Sequence, residues 1–216
     1  MSNIRLMKEL KILKESSEMY IDILDENIKK FKIMFFGPKD SLFQNGIFLF
    51  EFLIPDNYPF DVPKVTFLTG GFVNGRIHPN LYKEGKVCLS ILNTWGNNEW
   101  SPLLTIEKVI LTIKGILDNN PISHEPRFEN KNDAYYNIYS TYYSLKSIPM
   151  VYNHYKDTPF GEIIKKNVSE NYENIKLKLD EITIHHNKSY NTIHHNQIMN
   201  IDALKSGIIN IIVIKD

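Results

Sequence analysis

The 216 residues predict an α+β domain, with an antiparallel sheet flanked by helices. Three observations carry that prediction. Apolar residues recur with helical spacing near the N-terminus and again after residue 105, but between residues 19 and 67 they alternate or form short aromatic-rich blocks. The connections between those blocks are short and built on Asp, Asn, Gly and Pro, which favours antiparallel neighbours. A punctuated stretch, GRIHPNLYKEGKVCLSILNTWGNNEW over 75–100, holds the single cysteine, Cys88, and both tryptophans, Trp95 and Trp100.

Composition sets the outer bounds. Hydrophobic residues make up 43% and aromatics 12%, enough for a sizeable core. Lys plus Arg and Asp plus Glu each number 25, so net charge gives no case for nucleic acid or a membrane as the main partner. One cysteine forms no internal disulfide, which suits a reducing compartment where the thiol stays free. The N-terminal MSNIRLMKELKILKE interleaves charged and apolar residues and lacks a signal-peptide core. The apolar run from Ile208 to Ile214, broken by Asn210, is too short to span a bilayer. A soluble intracellular protein is the expectation.

Residues 3–15 place Leu6, Leu10 and Leu13 on one helical face beside Met7, with Arg5, Lys8, Lys11 and Lys14 elsewhere. Those basic residues form either a solvated face or a docking face for an acidic partner. Tyr20 to Leu24, Ile28 to Phe36, Ile47 to Ile54 and Lys64 to Leu68 read as four strands of a meander. The turns fall at Asp25-Glu26-Asn27, Gly37-Pro38 and Asp56-Asn57-Tyr58-Pro59. Residues 69–101 predict a long ordered loop, a type more often functional than accidental. Thr105 is placed to cap a helix through Leu117 with a stripe of Ile106, Val109, Ile110, Ile113, Ile116 and Leu117. Two more helices are predicted, roughly 134–145 and 160–182. The Asn-, His- and Ile-rich residues 183–216, where TIHHN occurs twice, read as a poorly ordered tail. Its His-His pairs could bind a metal, but repeat slippage in a biased tail explains them better.

An unpaired cysteine between apolar neighbours is more often a core residue than a nucleophile. Against that base rate stand the Gly-, Asn- and Pro-rich surroundings and Asn80, whose amide N–H could stabilise an oxyanion. His78 need not be a base, since with Pro79 and Asn80 it can simply fix a turn. No Asp/His pair stands near Cys88 in sequence, so a papain-like mechanism lacks its partners.

The order of motifs resembles the ubiquitin-conjugating enzymes (E2s). RLMKEL (5–10), FGPKDSLFQNG (36–46), IPDNYPFDVPKVTF (54–67), HPNLYKEGKVCLSIL (78–92) and WSPLLTIEKVILTIKGIL (100–117) occur in the family's sequence. HPN with Cys88 eight residues after its Asn, followed by WSP, is a specific combination. The long connections before His78, between Cys88 and Trp100 and around NPISHEPRFE (120–129) resemble the extended Z-type members.

That resemblance implies a UBC fold with a catalytic core over 1–130, a helical extension over 131–182 and the tail over 183–216. It implies that Cys88 accepts ubiquitin or a ubiquitin-like modifier from an E1 as a thioester and passes it to a substrate lysine, with or without a RING or HECT type E3. Asn80 would serve as oxyanion donor or as loop support, with His78 supporting the HPN turn. Minimal members carry an acidic residue two after the cysteine, where this chain has Ser90, and an Asp in the loop after the second helix. Here the loop position falls in Ser123-His124-Glu125, where His124 or Glu125 either acts on the incoming lysine or is a solvated loop residue. Arg5, Lys8 and Lys11 match the family's E1-facing helix, and Phe60 and Pro102 the two loop positions that E3 domains grip, with Leu103 beside them. The other reading of these loop residues is packing. No cofactor, metal, nucleic acid or membrane is implied, and the location expected is cytoplasmic or nuclear. The alternatives are a non-catalytic ubiquitin-binding module, against which Cys88 and HPN argue, and, more distantly, a cysteine hydrolase.

Overall fold

The structure is a computed structural model that describes residues 2–97 and 99–213. Met1, Asn98 and residues 214–216, where the apolar run ends, lie outside the described residues. Helix α1 (Ser2–Glu15) leads into four strands, β1 (Tyr20–Ile23), β2 (Lys30–Phe36), β3 (Ile47–Leu53) and β4 (Lys64–Phe67). The strands pair in chain order, each antiparallel to the next, as the short connections predict.

Register follows the aromatic pattern. Phe31 lies opposite Phe52 and Phe35 opposite Phe48, and both ring pairs stack, at centroid distances of 5.4 and 5.6 Å. This face meets helix α3 (Ile106–Ile116), whose Lys114 reaches over the Phe35 ring. Thr105 caps α3 as expected, its hydroxyl accepting from the Lys108 amide at 3.2 Å. The stripe Ile106, Val109, Ile110 and Ile113 is fully buried.

Buried Glu9 joins α1 to this core. Its carboxylate accepts from the Tyr58 hydroxyl at 2.7 Å and from the Ile106 amide at 3.0 Å, where α3 begins. A carboxylate at a helix N-terminus satisfies a donor that the helix itself leaves open.

The C-terminal part departs most from expectation. Residues 69–101 include a short helix, α2 (Thr69–Val73). The helix expected over 134–145 is one 22-residue element, α4 (Ala134–Tyr155), with Pro149 inside it and Asp133 capping it. The expected second helix is two, α5 (Pro159–Glu170) and α6 (Tyr172–Thr183). There is no seam at residue 130. Ser147 accepts from the Ile47 amide at 2.6 Å, Ser144 donates to the Phe43 carbonyl at 3.0 Å, and Lys32 of β2 lies over the Tyr155 ring. Helix α4 thus runs along β3 and belongs to the core.

The expectation of a poorly ordered tail is corrected. Residues 184–200 pack against the tyrosines of α4, and helix α7 (Ile201–Val213) follows, burying Ile201, Leu204, Ile208 and Ile211. Those four positions recur on one helical face, and that face lies against α4, α5 and α6. The polar bias of the segment hid an amphipathic helix and a set of aromatic contacts.

Candidate active site

The cysteine segment is held by isolated bridges, Thr66 to Lys86, His78 to Leu81 and Leu81 to Val87. They bring Asn80 beside Cys88. The Cys88 amide donates to the Asn80 carbonyl at 2.8 Å, and the Asn80 side-chain amide donates to the Cys88 carbonyl at 2.7 Å. Asn80 Oδ1 is buried without a partner. Asn80 therefore clamps the backbone of the cysteine in this structure, with its donor already engaged.

His78 is fully buried. Its Nδ1 accepts from the Asn80 amide at 3.1 Å, so it shapes the turn. Burial, and next the positive charge that His124 can carry, push its pKa well below the usual histidine range. The Ile116 carbonyl opposes that shift, although Nε2 makes no hydrogen bond of ordinary geometry. A neutral, enclosed ring fits turn support.

Cys88 is 4% exposed, and its thiol points at the Thr94 carbonyl, 3.8 Å away. Thr94 is itself fixed. Its hydroxyl donates to the Val87 carbonyl at 2.6 Å and accepts from the Leu89 amide at 2.9 Å. Burial raises the thiol pKa, Lys86 and Arg76 pull it down, and the Glu125 charge raises it. At neutral pH the resting thiol is protonated.

Glu125 is thus the expected acid whose field reaches the sulfur. Its carboxylate lies 3.5 Å from Arg76 Nη2 and 3.4 Å from His194 Nε2. Arg76 stacks on Tyr82 at 3.8 Å and donates through Nε to the Pro79 carbonyl at 3.2 Å. His124 is engaged elsewhere, bonded through Nε2 to Asp118 at 2.8 Å with its ring 5.1 Å from that of His78. A second carboxylate comes from the insertion. The Ser90 hydroxyl donates to Glu99 Oε2 at 2.5 Å, and extended backbone at Leu89 (φ −139°, ψ 139°) puts the Cys88 and Ser90 side chains on one side. The position that lacks an acid in sequence acquires one in space.

The docking residues divide. Phe60 and Leu103 stand 68% and 88% exposed, with Pro102 half-buried beside Leu103. Lys8 and Lys11 are exposed. Arg5 is engaged within the fold, with its side chain about one third exposed. Its guanidinium donates to the carbonyls of Pro102 and Leu104 at 2.6 and 2.8 Å and pairs with Glu9 at 2.7 Å. Trp100 braces the same region, its indole N–H donating to the Pro59 carbonyl at 2.8 Å.

Sequence reasoning missed Thr94, Glu99, Arg76 and His194 at the site. Glu99 had a signal, the absent acid at Ser90, whereas Arg76 and His194 are brought in only by tertiary packing. Among the described residues, no group of three or more His, Cys, Asp and Glu is placed to hold a metal ion, and no helix is long and apolar enough to cross a membrane.

An α+β domain that clamps one thiol against an HPN turn, under an exposed aromatic and aliphatic rim, defines a class of protein. Residues 5–146 match the family described as "Ubiquitin-conjugating enzyme", and the chain belongs to that family. It is 40% identical over 105 residues to the human "Ubiquitin-conjugating enzyme E2 Z", a match covering 49% of this chain and 30% of that protein. With "Ubiquitin-conjugating enzyme E2 13" of Saccharomyces cerevisiae it shares 34% over 127 residues, 53% of this chain and 77% of the relative. The matched stretch thus spans under a third of the Z-type relative. Among solved structures, the E2 domain of a Toxoplasma gondii ubiquitin conjugating enzyme superposes with a TM-score of 0.56 at 26% identity, over 68% of this chain and 98% of that one. The fold is the UBC fold, close to the Z-type members.

Proposed function

We propose that the chain is an active E2 that carries ubiquitin, or a ubiquitin-like modifier, as a thioester on Cys88. The observation that supports this best is the double tie between Asn80 and Cys88, which fixes the backbone of the one cysteine beside a carboxylate whose charge reaches its sulfur.

In the first step the Cys88 thiolate attacks the modifier's carbonyl on the E1, and the E1 thiolate leaves. In the second, a substrate amine attacks the Cys88 thioester, the amine's proton is lost, and the Cys88 thiolate leaves. A donor on the oxyanion of that attack is typically worth ~3 kcal/mol of barrier. For the Asn80 amide to supply it, its bond to the Cys88 carbonyl must open. Glu125, with Glu99 on the Ser90 side, would draw in the lysine ammonium and accept its proton. Phe60, Pro102 and Leu103 would form the face for a RING or HECT type E3, and Lys8 and Lys11 a basic face for the E1. A free thiol of this kind suits the cytosol or nucleus.

The test is incubation with an E1, ATP and ubiquitin, followed by a non-reducing gel. The expected result is an adduct that thiol removes and that Cys88→Ala lacks. A folded wild type that forms no adduct with any E1 and modifier pair would overturn the reading.

A further inference from the structure

The second TIHHN, at 192–196, is the motif that the proposed reaction leaves unused. The fold places it against the catalytic loop, in two contacts made by consecutive histidines. His195 is 2% exposed and stacks on Tyr139 at 4.8 Å, with Tyr136 and Tyr143 also around it. Its Nε2–H donates to the Arg76 carbonyl at 2.6 Å, two residues before His78. His194 faces the other way. Its Nδ1 lies 2.9 Å from the buried Tyr136 hydroxyl and its Nε2 3.4 Å from Glu125 Oε2.

The hydrogens can be assigned. In the tautomer that lets Nδ1 accept from the Tyr136 hydroxyl, the proton sits on Nε2, 3.4 Å from a carboxylate that can only accept. Burial holds the ring neutral, with a pKa near 3, so the contact operates at working pH as a dipole. Arg76 approaches the same Glu125 oxygen, Oε2, at 3.5 Å, and is itself fixed by Tyr82 and Pro79. Without His194, Oε2 keeps the Arg76 contact alone.

We propose that His194 is a positioning residue of the active site, a group from the C-terminal segment that keeps the Glu125 carboxylate turned toward Cys88 and the amine arriving there. This rests on the acyl-transfer reading above. His194 touches neither modifier nor lysine and works only through Glu125. The anchor for the arrangement is the row Tyr136, Tyr139 and Tyr143 on α4. Tyr139 donates to the Gln197 carbonyl at 2.7 Å, and the Tyr143 ring fills the space where a Cβ on Gly75 would stand.

The experiment uses the full chain charged with ubiquitin. Discharge is followed with free lysine and with hydroxylamine, an amine that is already unprotonated at neutral pH. In His194→Ala, lysine discharge should slow about three- to tenfold, while charging and hydroxylamine discharge hold near wild type. His194→Gln, which keeps an N–H near the Nε2 position, should recover most of the loss. The double variant with Glu125→Gln should be no slower than Glu125→Gln alone. A second readout needs no E1. Removing the Glu125 charge lowers the thiol pKa, so Glu125→Gln shifts the pH profile of Cys88 alkylation by iodoacetamide downward. His194→Ala should shift it the same way, and His194→Gln should not.

A wild-type alkylation profile with unaltered lysine discharge in His194→Ala would overturn the proposal. So would a defect that multiplies with that of Glu125→Gln, or one shared equally by hydroxylamine. If the wild type takes up no modifier, the acyl-transfer reading fails, and the alkylation profile still decides whether His194 places Glu125 at the thiol.

Discussion

Asn80 and Cys88 are tied to each other twice. The Asn80 amide spends its N–H on the Cys88 carbonyl, and the Cys88 amide returns a bond to the Asn80 carbonyl. Asn80→Ala removes the first of these and leaves the second. A lost hydrogen bond of this type costs about 1 kcal/mol and leaves the Cys88 carbonyl to find water. The loop that carries the thiol then loosens, and both halves of the proposed reaction depend on where that thiol sits. The expected outcome is therefore slower charging as well as slower lysine discharge, with a small fall in Tm. Pulse-chase thioester assays with a thermal melt check it. Normal charging with slow discharge would instead assign Asn80 to the oxyanion alone.

At the scale of elements, the segment leading to the cysteine loop and α4 are fitted to each other at Gly75. A Cβ there would come within 2.4 Å of the Tyr143 ring, closer than side-chain atoms pack. Tyr143 is buried and its hydroxyl is bonded to Gln197, so the ring has little room to retreat. Gly75→Ala should cost about 1–3 kcal/mol, as overpacking does. Urea denaturation would measure it, and Tyr143→Ala in the same chain should relieve part of the strain. The same region shows where sequence reading succeeds and where it stops. The meander and α3 were legible because alternation and a capped apolar stripe are local signals. Helix α4 was read ten residues short because it buries polar residues, among them Ser144 and Ser147, whose partners at Phe43 and Ile47 lie far away in sequence. Motif order singled out Cys88 and Asn80, and named Glu125 only alongside His124. Arg76 and His194 were not legible, because nothing local marks two residues that reach Glu125 from distant parts of the chain.

The whole molecule is closed by its C-terminal segment, and that closure should depend on pH. His195 is enclosed by the rings of Tyr136, Tyr139 and Tyr143, donates to the Arg76 carbonyl and lies beside Thr192. Burial is the main cause that lowers its pKa to about 4, with the Arg76 charge lowering it further, against the Arg76 carbonyl and Asp133, which raise it. When the segment undocks, the ring returns to an ordinary value near ~6.5. Between those two values the undocked form binds more protons than the docked one, so docking strengthens as pH rises. Its stabilisation is present in full above about pH 6.5 and is lost as pH falls toward 4, an effect of order 3 kcal/mol for His195. His194, with its pKa near 3, acts in the same direction. The measurable consequence is local. Hydrogen-exchange protection of the α7 amides should fall between pH 6.5 and 4.5 before protection of β2 and β3 does. In the double variant His194→Gln, His195→Gln, which keeps donors but cannot titrate, α7 protection should be much flatter over that range. Equal pH sensitivity in the double variant and the wild type would place the acid-labile contact elsewhere, and constant α7 protection in the wild type would show that these histidines do not control docking.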